Sequence, residues 1–374
     1  MYNRHVFAGA EVGAVSGTGP VSRALVAESR SRQQGRFPTQ LEKLEVVVLR
    51  RSVLSFLVLL ALVCAPIPRV PARAASLTQV SIALNWITNV EFAGIWAAEH
   101  EGWWTQAGLK VNVRGYDFSN DPVLLVGAGK YQFGFQDGAS LVIARANGHI
   151  PLQAIWASGQ KSPFAFITMP KSGITSVKDF RGKRIGYQAH ELYVLQSMLN
   201  QVGMSLNDVK PVVVQFDPTV LLAGKVDAYL SYLTNEPIEM AQKYHVKVNI
   251  IRASDYGYNF YSDVLFTTNG LITSNPGLVA KVVSVMDRGW KYALVHPSQL
   301  AKWVVPALDK NDSTSQQEAE MTALRQLSSA PGAPTGTMTA GRWTTGINLL
   351  VKYGQIKKSF PASDVFTDQF LPKQ

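Results

Sequence analysis

The stretch Asn85–Lys110, NWITNVEFAGIWAAEHEGWWTQAGLK, decides how the rest of the chain is read. It follows a short strand, Val80–Leu84, and carries four of the eight tryptophans: Trp86, Trp96, Trp103 and Trp104. Asn85–Asn89 reads as a polar turn. Beyond it Phe92, Ile95, Trp96 and Trp103 recur at helical spacing, so a strand, a loop and an amphipathic helix follow one another. Gly108 ends that helix, and Leu109–Val113 alternates as a second strand. The unit is therefore βαβ, with its loop at the carboxyl end of the first strand, where open α/β sheets place their ligands.

Upstream, Arg50-Arg51, the apolar run Val53–Ala65 and the small residues Ala72-Arg73-Ala74 read as a secretory signal over residues 46–74, cleaved after Ala74. The apolar run is too short to span a bilayer. Residues 1–45 show no period and read as a disordered or non-native extension. The only cysteine, Cys64, lies inside the signal; Val63 before it fits a lipid-anchor motif poorly. The rest of the chain accordingly holds no thiol for a disulfide or a metal.

The chain carries 36 basic and 26 acidic residues, but 10 and 4 of these precede Ala75, which leaves 26 and 22, a net of about +4. With no basic cluster interleaved with aromatics after Ala75, nucleic-acid binding loses its support.

Downstream, strands and helices alternate. Asp121-Pro122 opens a helix, Tyr131–Phe135 is a strand, Gln136–Ser140 a loop, and Pro151–Ser158 a buried strand. A second α/β module of about ninety residues begins at Phe164, with strands at Val212–Phe216, Ala228–Leu233 and Val246–Ile251; Val264–Asn269 returns to the first. The tail is helical. The fold expected is thus α/β and two-lobed, each lobe a mainly parallel sheet flanked by helices, joined by a two-strand hinge. Lobe 1 is 75–163 plus 262–374, and lobe 2 is 164–261. Such folds close on a ligand between the lobes.

The candidate ligand-binding residues follow from the loops at strand ends. Asn85, Trp86, Asn89 and Phe92 offer stacking faces and amides for a flat heteroaromatic ligand; the competing reading is turn and core. Gln136, Asp137 and Ser140 lie at the second strand-to-helix switch, where capping is the alternative. Tyr187, Gln188 and Glu191 precede the helix Leu192–Gln201. In SYLTNEP, Tyr232, Asn235 and Glu236 join an aromatic, an amide and a carboxylate, Glu236 otherwise being a first-turn helix residue. Asn269 ends the return strand. Scattered histidines give no metal site, and no cofactor is expected. Hydrolase, phosphate-loop and paired-cysteine motifs are absent.

In combination, LNWITNVEFAGIWAAEHEGWWTQAGLKV, VLLVGAGKYQFGFQDGAS, SVKDFRGKRIGY, GKVDAYLSYLTNEPIEM and SNPGLVAKV resemble the extracytoplasmic substrate-binding proteins of ABC importers. The likeness is to the branch shared with the yeast thiamine-pyrimidine synthase and the aliphatic sulfonate binders, and runs from about Gln79 to Tyr353. It implies a type II periplasmic-binding-protein fold, a small-molecule ligand, an ABC permease as membrane partner and an extracytoplasmic location. The synthase has a lysine and a histidine where this chain has Gln136 and Ser140, and Gln cannot form a Schiff base, so the resemblance implies a binder rather than an enzyme. A thiamine pyrimidine precursor comes first among ligands. Riboflavin is next, because NWITNVEFAG and LTNEP resemble flavin binders of the branch; a sulfonate is third, since no candidate loop contains Arg.

Overall fold

A computed structural model describes residues 76–117, 121–308, 313–328 and 334–373. The residues read as a signal segment, Cys64 and the stretch before them lie outside the described residues. Among the described residues ten strands form two five-stranded sheets. The first holds β1 (Thr78–Ala83), β2 (Leu109–Arg114), β3 (Phe133–Gln136), β4 (Leu152–Gly159) and the late strand β10 (Ser262–Thr268); the second holds β5 (Phe164–Thr168), β6 (Arg184–Tyr187), β7 (Lys210–Val213), β8 (Ala228–Tyr232) and β9 (Asn249–Arg252). The chain crosses between them twice, through residues 160–163 and just before Ser262.

The orders are β2-β1-β3-β10-β4 and β7-β6-β8-β5-β9. β1 pairs in parallel with β2 and β3, whereas β10 runs antiparallel between β3 and β4. In the second sheet β6 pairs in parallel with β7 and β8, and β5 runs antiparallel between β8 and β9. The expectation of mainly parallel sheets holds, four of the five strands in each sheet running the same way, while one antiparallel strand makes each sheet mixed. The physical cause is the hinge. A strand arriving from the other lobe enters its new sheet at the cleft, where the resident strands end, and so runs against them.

Helices cover the sheets. In the opening unit, α1 (Ala93–His100) and α2 (Trp103–Gln106) replace the single helix read from the spacing, because Gly102 adopts φ 68 between them. Asp121 caps α3 (Pro122–Gly127) by accepting from the Val123 N–H at 2.8 Å, and Asp137 caps α4 (Gly138–Gly148) through Ala139 at 2.8 Å. Lobe 2 carries α5 (Leu192–Gln201), α6 (Thr219–Leu222) and α7 (Glu236–Gln242). The tail comprises α8 (Asn269–Ser274), α9 (Pro276–Val295), α10 (Pro297–Leu308), α11 (Thr314–Ser328) and α12 (Ala340–Lys352). α9 packs on α1 with Val279, Val282, Val283 and Met286 buried, and α11 touches both α10 and α7. Among the described residues no helix is long and apolar enough to cross a membrane.

Candidate ligand-binding cleft

The resident strands of both sheets point their carboxyl ends at one cleft. Asn85 follows β1, Gln136 ends β3, Gln188 follows β6 and Val213 ends β7; all four line a chamber of about 150 Å³ together with Tyr116, Ser140, Glu191, Tyr193 and Phe216. Five sequence-predicted residues thus meet there: Asn85, Gln136, Ser140, Gln188 and Glu191. Trp86 and Asn235 line an adjoining chamber of about 270 Å³ with Ile87, Asp217, Glu239, Lys243, Tyr244 and Gln316, and Phe216 borders both.

Aromatic rings close the cleft from both sides. Trp86 of lobe 1 lies parallel to Tyr232 of lobe 2, with centroids 5.7 Å apart and planes 1° from parallel. Each is only 3% exposed. Phe216 leans against Trp86 at 3.7 Å and 51°, and Tyr116 stands 5.6 Å from Phe216. The Tyr116 N–H donates to the Trp86 carbonyl at 3.0 Å, which ties the loop after β2 to the loop after β1.

Several buried polar atoms here have no partner in the protein: the amide oxygens Asn85 Oδ1 and Gln188 Oε1, one carboxyl oxygen each of Glu91, Asp137, Glu236 and Asp263, and the indole donor Trp86 Nε1. A buried group left unpaired costs about 1–3 kcal/mol. Their neighbours are rigidly held. The Gln188 amide donates to Tyr229 Oη at 3.0 Å and to the Leu230 carbonyl at 3.1 Å, which fixes its oxygen. Glu236 accepts from the Tyr232 N–H at 2.8 Å, and Asp137 accepts from the Tyr258 hydroxyl at 2.7 Å.

Burial raises the carboxyl groups of Asp137, Glu236, Glu191, Glu91 and Asp263. Burial pushes Asp137 up to about 7 against the hydrogen bonds from Tyr258 and Ala139, and Glu236 up to about 8 against that from Tyr232. Glu191, half-buried, is raised by burial and by the charges of Glu236 and Asp137. Glu91 and Asp263 face each other beside Asn85; burial, then the charge of Asp263, holds Glu91 well above the usual carboxylate range. Asp263 also sits at φ 49, a conformation disfavoured in a non-glycine residue and found where surroundings impose it.

The remaining candidates lie elsewhere. Asn89 is buried and caps the turn Val90–Phe92 by accepting from the Glu91 N–H at 3.0 Å, while its carbonyl takes the Trp96 indole. Phe92 is fully buried edge-on to Phe135, 5.3 Å away. Tyr187 packs half-buried against the core, and its carbonyl accepts from Val214. Asn269 stands at the far end of the sheet: β10 runs antiparallel, so its amino end, with Ser262 and Asp263, faces the cleft, and its carboxyl end points away. Sequence reasoning missed Asp263 for this reason. Tyr116 and Val214–Phe216 were missed although the strand-end rule, applied to the edge strands β2 and β7, points to them. Among the described residues no three His, Cys, Asp or Glu are grouped to hold a metal.

Comparison with known proteins agrees with this architecture. The chain is 28% identical over 339 residues to the riboflavin-binding protein RibY of Chloroflexus aurantiacus, covering 84% of this chain and 95% of that protein. It is 22% identical over 306 residues to the 4-amino-5-hydroxymethyl-2-methylpyrimidine phosphate synthase of Legionella pneumophila (80% and 95% covered), and 20% over 300 residues to the formylaminopyrimidine-binding protein of Halalkalibacterium halodurans (78% and 90%). Among solved structures, the periplasmic aliphatic sulphonate binding protein SsuA of Escherichia coli superposes with a TM-score of 0.59 at 13% identity, over 79% of this chain and 94% of that one. At that identity the likeness establishes the periplasmic-binding-protein fold. The family model described as NMT1/THI5 like matches residues 89–300, more than half of the sequence, and the chain belongs to that NMT1/THI5-like family.

Proposed function

We propose that this chain is the solute-binding component of an ABC importer, working outside the cytoplasmic membrane and capturing a small heteroaromatic ligand between its lobes. The observation that carries the reading is the pairing of Trp86 with Tyr232 across the cleft, beside the unpartnered amide oxygens of Asn85 and Gln188: two aromatic faces and amide acceptors suit a flat ring bearing N–H or O–H groups. Riboflavin is the first ligand to test, because the likeness to the riboflavin binder extends over nearly the whole of both chains. A thiamine pyrimidine precursor is the second, favoured by a 150 Å³ chamber, the size of cavity that holds one benzene-like ring. An anionic sulfonate fits less well. None of the described residues lining that chamber is basic, and Glu191 stands in its wall.

A synthase would need an amine at Gln136. Here the Gln136 side chain accepts from the Asp137 N–H at 2.9 Å and offers an amide, which forms no Schiff base. The reading is therefore that of a receptor. Part of the ligand's binding energy populates the closed form that a permease recognises.

A thermal-shift series with the purified protein tests this. Riboflavin or a formylaminopyrimidine raises the melting temperature by mass action, while taurine does not. In Trp86→Ala the shift falls by at least half at equal ligand concentration. A shift with taurine alone, or an undiminished shift in the variant, would overturn the assignment.

A further inference from the structure

Phe216 stands where the cleft divides. It belongs to the segment between β7 and α6, and its ring is the one aromatic side chain that borders both the 150 Å³ and the 270 Å³ chambers among the described residues. The two chambers differ in chemistry. On the first side of the ring the unpartnered atoms are acceptors, Asn85 Oδ1 and Gln188 Oε1, the latter on a residue only 4% exposed. On the second side the unpartnered atom is a donor, the indole N–H of buried Trp86. A ligand that spans both chambers passes Phe216, with N–H donors for the amide oxygens at one end and an oxygen-bearing tail for the indole at the other.

Size points the same way. Small-molecule sites usually enclose about 300–1,000 Å³. Either chamber alone falls short of that range, and the two together reach it. The ring of Phe216 is half-buried between exposed Gln215 and Asp217, in a segment outside any strand or helix, so a side-chain rotation opens the wall without unfolding an element. Trp86, at 3.7 Å, and Tyr232 behind it stay in place as the stacking faces.

Resting on the reading of this cleft as the solute site, we propose that Phe216 is the specificity-determining residue of the receptor: an aromatic divider that leaves room for a single ring when it lies against Trp86, and admits a hydroxylated tail into the chamber lined by Trp86, Asn235 and Gln316 when it turns aside. Ligand length is thereby selected by one side chain. Removing the ring relieves long ligands of the need to displace it and strips short ligands of a packing face; enlarging it does the reverse.

The test is calorimetric titration of wild type, Phe216→Ala and Phe216→Trp with riboflavin and with 4-amino-5-hydroxymethyl-2-methylpyrimidine. The ratio of the riboflavin Kd to the pyrimidine Kd is expected to fall at least tenfold in Phe216→Ala and to rise at least fivefold in Phe216→Trp. A ratio constant within twofold across all three proteins, with binding retained, overturns the role of Phe216 and leaves the receptor reading standing. Binding of neither ligand by any of the three overturns the receptor reading and this inference with it. Equal losses for both ligands in both variants also overturn it, because they mark Phe216 as packing alone.

Discussion

Glu236 is fully enclosed, accepts one backbone N–H through Oε2, and has its other oxygen unpaired. It therefore keeps its proton up to about 8, and Asp137 keeps its own up to about 7. In the unfolded chain both groups lose their protons near about pH 4. Between these values the folded state binds more protons, so the stability contributed by the pair is complete below about pH 4 and is lost as pH rises through 7 to 8. The melting temperature of ligand-free protein should thus be higher at pH 5.5 than at pH 8.5, and Glu236→Gln should flatten the alkaline part of the profile. A melting temperature that rises with pH over that window contradicts the assignment. Asp179, Asp208 and Asp227 are lowered by hydrogen bonds and act only at more acid pH, outside the comparison. At this scale the sequence was a good guide wherever a strand ends in the sense that parallel sheets share, as at Asn85, Gln136 and Gln188. It misled at Asn269, because strand direction is a tertiary property: nothing in Val264–Asn269 itself says which end meets the cleft. Asn89 shows a different limit, since an Asn before a helical turn reads alike as a ligand group or a cap, and here it caps.

At the scale of elements, hydrophobic periodicity placed every strand of the first sheet, and α5 at Leu192–Gln201 without error. Boundaries failed where a local conformation intervenes. The strand read as Val212–Phe216 is β7 at Lys210–Val213, so residues read as sheet are loop, and the loop is where Phe216 works. The helix from Phe92 to Trp103 is broken at Gly102 because apolar spacing survives a one-residue left-handed step. The packing of α1 on α9 rests on a close approach of two glycines, Gly94 and Gly289. A Cβ added at Gly289 would overlap the Gly94 carbonyl oxygen, which is backbone and cannot swing away. Gly289→Ala should cost about 1–3 kcal/mol by forcing the helices apart. Urea unfolding followed by circular dichroism reads this as a lowered midpoint, with Gly341→Ala, which meets only open space, unchanged. Equal midpoints for the two variants would show that α9 yields easily.

At the scale of the molecule, the α/β class and its two helix-flanked sheets were legible from the order of elements. The mixed pairing was not, because a crossing strand carries the same apolar pattern as its neighbours. Trp86 and Tyr232 meet across the cleft, so opening must part them and closing must bury them. Small-angle scattering should show a smaller radius of gyration when riboflavin is added at saturating concentration, with no change for Trp86→Ala at the same concentration. An unchanged radius in the wild type, with binding demonstrated, would mean that the lobes do not move. The placement of β10 has a further consequence, for the order of events in synthesis. Its partners on β3 and β4 lie more than a hundred residues earlier, so the first sheet is two separate pieces, each with an open apolar edge, until the ribosome has delivered residue 268. Contacts of such sequence separation form slowly, and bare edges recruit other strands meanwhile. A nascent chain of this design cannot complete its first sheet until about seven tenths of its residues have been made, although every strand of its second sheet is already in hand by then.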